Sequence, residues 1–189
     1  MLEKIQNYAQ NNSSLLFNHT ENNPLLALFN TKGFTLSLPA QEAYDKIKNE
    51  PHLYVAWSDS ENGYYYIGKS FQQGGRWKRQ HAYHLGTLGH HLLKTKKSYD
   101  QNHAHWIAQW MRAETLQVDK EPYTIELKQK VYISFIPFHV YSSLAYHQLS
   151  NQQIRNINDE MEKQLIAFYQ NANMNILNIK SLKGINVLI

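Results

Sequence analysis

The sequence predicts an α/β fold, a small and mainly antiparallel central sheet flanked by helices. Three observations predict it. Residues 52–57 (HLYVAW) and 64–68 (YYYIG) are aromatic and β-branched runs separated by the polar turn Asp59-Ser60-Glu61-Asn62-Gly63, the pattern of a β-hairpin with a loop of about five residues. Residues 124–141 are again rich in β-branched and aromatic side chains and read as one or two strands. Over residues 151–170, Ile154, Ile157, Met161, Leu165 and Phe168 recur at helical spacing.

The remaining elements follow in chain order. A short helix starts at Leu2. Residues 33–38 (GFTLSL) alternate like a short strand, and Pro39 then suits the first turn of a helix running through Ile47. Gly74-Gly75 breaks the chain before a helical stretch from about Arg76. Residues 92–120 are polar, with a helix expected over 103–112, and the asparagine-rich stretch 171–178 ends the last helix. No repeat or clear linker divides the chain. Residues 1–50 read as an N-terminal extension, and 51–189 as the main domain with an insertion at about 92–130.

A chain of 189 residues is long enough to bury a sizeable core. Its net charge of +4 and pI near 9.1 suit a nucleic-acid partner and also many ordinary proteins. The absence of cysteine excludes disulfides, zinc fingers and thiol catalysis. No apolar run has the length of a signal peptide or of a bilayer span, so no membrane role is expected and the expected location is cytoplasmic. The 13 tyrosines must find partners for their hydroxyls or reach a surface.

Leu53-Tyr54 followed by Tyr66-Ile67-Gly68-Lys69-Ser70 resembles the paired signature of the GIY-YIG nuclease family. The second half is intact. In the first half His52-Leu53-Tyr54 stands where the family has Gly-Ile-Tyr, with the tyrosine retained. The family carries an arginine early in the next helix and a histidine about a turn later, which Arg76 and His81 match with one extra residue; Arg79 and His84 are the substitutes. Its later glutamate, leucine-isoleucine and asparagine match Glu162, Leu165-Ile166 and Asn175, again with one extra residue. The four blocks run in the family's order from His52 to about Asn178.

The resemblance implies a GIY-YIG-like sheet and a metal-dependent endonuclease acting on DNA phosphodiester bonds. Tyr54 would activate water, and a phenol with a pKa of about 10 needs cationic help to do so near neutrality. Tyr66 would bond the phosphate or share in that activation. Arg76 would grip phosphate oxygens, with His81 beside it. Glu162 would hold a hard cation, Mg²⁺ (or Mn²⁺), which keeps most of its waters. Asn175 would position the glutamate helix or the substrate backbone. No small-molecule cofactor is implied. One argument is independent of the family. Ile166 and Tyr169 widen the apolar stripe of the last helix, and Glu162 falls inside the widened arc while Glu160 falls outside it, which favours Glu162 as the ligand.

A compact enzyme without an appended binding module resembles the type II restriction endonucleases of the family, which implies sequence-specific cleavage of double-stranded DNA by a homodimer. Lys69, Arg79, His90, Lys94, Lys96 and Lys97 are the candidate DNA contacts, meeting backbone phosphates. Other readings stay open at this point. The same chemistry serves non-specific, repair or mobile-element nucleases. A scaffold with an altered first motif also suits a non-catalytic nucleic-acid-binding domain, and lone strand tyrosines are usually packing residues. Asp119 with Glu126-Leu127-Lys128 has the spacing of a different restriction-nuclease motif. His90-His91 and His103-Ala104-His105 lack the carboxylate or cysteine company of a zinc site.

Overall fold

The aromatic hairpin forms as its pattern predicts. Strands β4 (His52–Ser58) and β5 (Tyr64–Ser70) pair antiparallel, with Tyr54 opposite Gly68 and Ala56 opposite Tyr66. The computed structural model describes residues 1–29, 36–59, 63–70, 112–115, 123–127, 129–176 and 178. Strand β8 (Val131–Pro137) lies antiparallel on the other side of β4, and the two-residue strands β1 (Ser14–Leu15) and β9 (Asn175–Ile176) complete a five-stranded sheet in the order β1-β8-β4-β5-β9. Only the β5–β9 pair is parallel.

Each face of this sheet has its own cover. Helix α1 (Leu2–Asn11) and the long helix α4 (Asn151–Asn171) bury Ile5, Ile154, Met161, Leu165 and Tyr169 against Leu53, Val55, Ile67 and Ile136. The alternation of a strand sends the intervening residues, among them Tyr54, Tyr66 and Gly68, to the opposite face. On that face α2 (Leu38–Ile47) packs beside β8, where the Tyr44 ring sits 5.6 Å from Phe135. Ser37 caps α2 by accepting the Ala40 N–H at 3.2 Å. Ser150 and Gln153 form a reciprocal capping box on α4, which is why that helix starts where its apolar period begins. It ends two residues before Asn173, whose φ of 56° is the left-handed conformation asparagine tolerates after a helix.

A second, four-stranded antiparallel sheet runs β2 (His19–Thr20), β3 (Asn23–Phe29), β7 (Tyr123–Leu127), β6 (Arg112–Thr115). Residues 1–50, which the sequence sets apart as an extension, therefore supply β1 to the central sheet, two covering helices, and half of the second sheet. The other half comes from residues 112–127, inside the stretch read as an insertion.

Three expectations change. Arg112 opens strand β6 rather than closing a helix over 103–112, because pairing with β7 overrides local propensity; residues 103–111 lie outside the described residues. Residues 138–141 leave the strand and form the single turn α3 (Phe138–Tyr141), since Pro137 can donate nothing to a continuing ladder. Of the alternating stretch 33–38, Leu36 makes one isolated bridge to Phe17, Ser37 is the α2 cap and Leu38 is helical; residues 33–35 lie outside the described ones. No described helix is long and apolar enough to cross a membrane.

Candidate active site

Tyr54 and Tyr66 meet on the α2 face of the hairpin, their ring centroids 6.1 Å apart. The geometry depends on Gly68. It lies directly opposite Tyr54, and a Cβ there would collide with the Tyr54 ring and hydroxyl. The glycine of the Tyr-Ile-Gly motif is thus a steric requirement: the backbone of β5 is the floor on which the Tyr54 ring rests. Tyr54 is buried, with 6% of its surface exposed. Burial raises its pKa well above the usual phenol value, and the neighbouring Tyr66, which accepts its hydrogen bond, and the charge of Glu162 raise it further. Tyr66 is also raised, chiefly by burial and in addition by Glu162, but the hydrogen bond from Tyr54 works the other way and favours its ionised form. The pair is therefore asymmetric. Tyr54 holds its proton the more firmly, but Tyr66 is raised as well, so both phenols are held protonated and ionise near neutrality only with cationic help.

The same electrostatics tie α4 to the hairpin. Glu162 belongs to a helix that packs on the opposite face, yet its charge reaches both phenols. Its side chain is only 18% exposed, whereas Glu160 is exposed and bonded to Gln164. This is the separation of the two glutamates that helical periodicity predicts. Burial raises the Glu162 pKa, and Lys69 pulls it back only in part. Lys69 Nζ donates a hydrogen bond to Glu162 Oε2 and lies 3.2 Å from Asp159 Oδ1. Burial works against the charge on Lys69, but the two carboxylates outweigh it and its pKa ends above the ordinary lysine value.

Two asparagines fix this arrangement. Asn158, fully buried one turn before Glu162, donates through Nδ2 to the carbonyl of Ser70 at the end of β5 and accepts the Tyr141 hydroxyl at 2.9 Å. Asn178 accepts the Ile67 N–H at 2.8 Å and donates back to the Ile67 carbonyl, completing β5 as a neighbouring strand would. The sequence expectation gives the positioning asparagine at Asn175. That residue is exposed in β9, opposite Tyr64, and the amide that grips the Tyr-Ile-Gly strand is that of Asn178.

Of the residues singled out by sequence, the structure pairs Tyr54 with Tyr66 on one face of the hairpin and Lys69 with Glu162 on the other. Arg76, His81, Arg79, His84, His90, Lys94, Lys96 and Lys97 lie outside the described residues, as do Asp119 and Lys128. Glu126 lies half-buried in the second sheet, opposite Leu26 and Glu114, and so in a different sheet from the tyrosines. Sequence reasoning missed Asn158, Asp159 and Asn178. Asn158 had a signal: the spacing 154, 158, 161, 165, 169 is a continuous apolar stripe interrupted by one asparagine, and a polar residue there must be bonded. Asp159 had one too, lying three residues before Glu162 on the same helix surface.

His52, at the position of the family's first glycine, is fully buried. Its Nδ1 lies 2.7 Å from the Glu50 carbonyl and its ring is edge-on to Phe135 at 6.0 Å. Burial lowers its pKa to about 4. The altered half of the first motif thus puts a neutral core side chain where a glycine would leave space.

Among the described residues, no three His, Asp or Glu side chains gather to cage a metal ion. Glu162, a recessed carboxylate, is engaged there by Lys69. The chain matches no family model, and no curated protein or solved structure gives a significant match. The family resemblance therefore rests on these residues and their geometry.

Proposed function

We propose that this protein is a metal-dependent endonuclease of the GIY-YIG type that hydrolyses DNA phosphodiester bonds. The observation that carries the reading is the convergence of Tyr54, Tyr66 and Glu162. The two phenols of the hairpin have ring centroids 6.1 Å apart, the charge of Glu162 on the long helix adds to the rise in the pKa of each, and Lys69 bonds Glu162. Chance packing of strand tyrosines gives no reason for a half-buried glutamate to act on both.

The chemistry follows from the parts. Tyr54 and Tyr66 would orient the attacking water and the phosphate through their hydroxyls, and either phenol would accept the water's proton only after a nearby cation had favoured its ionised form. Glu162 is the residue to hold Mg²⁺ or Mn²⁺, which when bound neutralises charge on the phosphate and its leaving oxygen. Lys69 would be a phosphate contact. Arg76 and His81 complete the charge stabilisation in the family pattern. The compact chain favours a type II restriction endonuclease, cutting a defined double-stranded sequence as a homodimer. Digestion of plasmid and phage DNA by purified protein, Mg²⁺ against EDTA, with Glu162→Ala alongside, tests the reading. Discrete Mg²⁺-dependent fragments lost in the variant are expected. Smears or structure-dependent nicks would keep the chemistry and remove the restriction assignment. No cleavage of any DNA by folded protein, with Mn²⁺ also tried, would remove the nuclease reading.

A further inference from the structure

Lys69 occupies the carboxylate that a metal ion needs. Its ammonium bonds Glu162 Oε2 directly and lies 3.2 Å from Asp159 Oδ1. Side-chain exposures of 26% for Lys69 and 18% for Glu162 mean that water screens this pair only partly. A divalent cation arriving at Glu162 meets a unit positive charge already in contact with the same oxygen. The two cannot share it without strong repulsion.

We propose that Lys69 is a gate coupling metal binding to phosphate binding: it masks Glu162 in the free protein and releases it when a DNA phosphate draws the ammonium away. This rests on the nuclease reading above and adds to it an order of assembly. Asp159 makes the exchange feasible, since it keeps the ammonium beside the site when the contact to Glu162 is given up. Asn158 keeps Glu162 from following, because it anchors the helix to the Ser70 carbonyl one turn away. The coupling is reciprocal. Whatever factor phosphate adds to metal affinity, metal adds to DNA affinity.

The test uses the full chain and reads binding rather than cleavage. Mn²⁺ affinity is measured by electron paramagnetic resonance for the wild type, Lys69→Met and Glu162→Gln without DNA. Duplex affinity is measured by anisotropy with a random-sequence 30-base-pair DNA, in EDTA and in Ca²⁺. Lys69→Met keeps the aliphatic stem, and Lys69→Gln serves if the first variant does not fold. Removing the masking charge should tighten Mn²⁺ binding about tenfold, the size of one charge-assisted hydrogen bond. Ca²⁺ should strengthen duplex binding by the wild type, and Lys69→Met should lose most of that gain. Glu162→Gln should bind no Mn²⁺ at the site. Equal Mn²⁺ affinity in the wild type and Lys69→Met overturns the gate and leaves the nuclease reading standing. Absence of Mn²⁺ binding in both overturns the gate as well, and the cleavage assay then decides separately on the nuclease.

Discussion

The two sheets are built from the chain in different ways. In the central sheet the strands that carry the tyrosines are consecutive in the chain and pair directly. In the second sheet, β3 and β7 pair residues as far apart as Leu26 and Glu126, and nothing local announces the match. Yet the second sheet is not an appendage. Leu16, Phe17 and Asn18 alone separate β1 from β2, and residues 128–130 alone separate β7 from β8. Each link passes from one sheet to the other, and the Leu16 N–H bonds the Val131 carbonyl at 2.7 Å across the two links. The difference teaches that alternation in a sequence reports that a segment is a strand, while its partner is decided by closure of long loops that leave no local trace.

If the links make the sheets one cooperative unit, equivalent cavities in each should act alike. Ile67 in the central sheet is fully buried, and Leu127 in the second is 1% exposed. Ile67→Ala and Leu127→Ala should each cost about 2–5 kcal/mol and should each shift one single unfolding transition in thermal or urea melts followed by circular dichroism. A Leu127→Ala melt that splits into two steps, with the tyrosine site intact in the second, would break the comparison and make the second sheet a separate module.

Acid should sharpen it, because the buried histidine sits in the central sheet. The folded-state pKa of His52 is depressed to about 4, below the ordinary 6.5. The unfolded chain therefore takes up the proton first. The stability contributed by neutral His52 is complete above pH 6.5 and is lost progressively as the pH falls from 6.5 through 4. The full loss is on the order of 3 kcal/mol. Melting curves between pH 7.5 and 4 should show this decline, and His52→Phe, which keeps a ring against Phe135, should flatten it. An unchanged slope in that variant would assign the acid sensitivity to other groups.

Much of the site was legible because its signals are local. The tyrosine strands, the intact Tyr-Ile-Gly-Lys-Ser run and the face of α4 that hides Glu162 all follow from period and motif. The depth of burial of the tyrosines was not legible. Motif logic gives Tyr54 the water, and burial raises the pKa of both phenols, Tyr54 the more. Nor was Asn178 legible, since its partner Ile67 lies far back in the chain. The extension reading of residues 1–50 had no such signal against it, because β3 finds its partner about a hundred residues later.

The most direct test of the central claim removes one oxygen. Once a cleaved DNA fragment is mapped, single-turnover cleavage by Tyr66→Phe is compared with the wild type at saturating Mg²⁺. Loss of the Tyr66 hydroxyl should slow the step by about 10²- to 10⁴-fold, with the melting temperature nearly unchanged because the ring is retained. A Tyr66→Phe protein that folds and cuts at the wild-type rate would contradict the account.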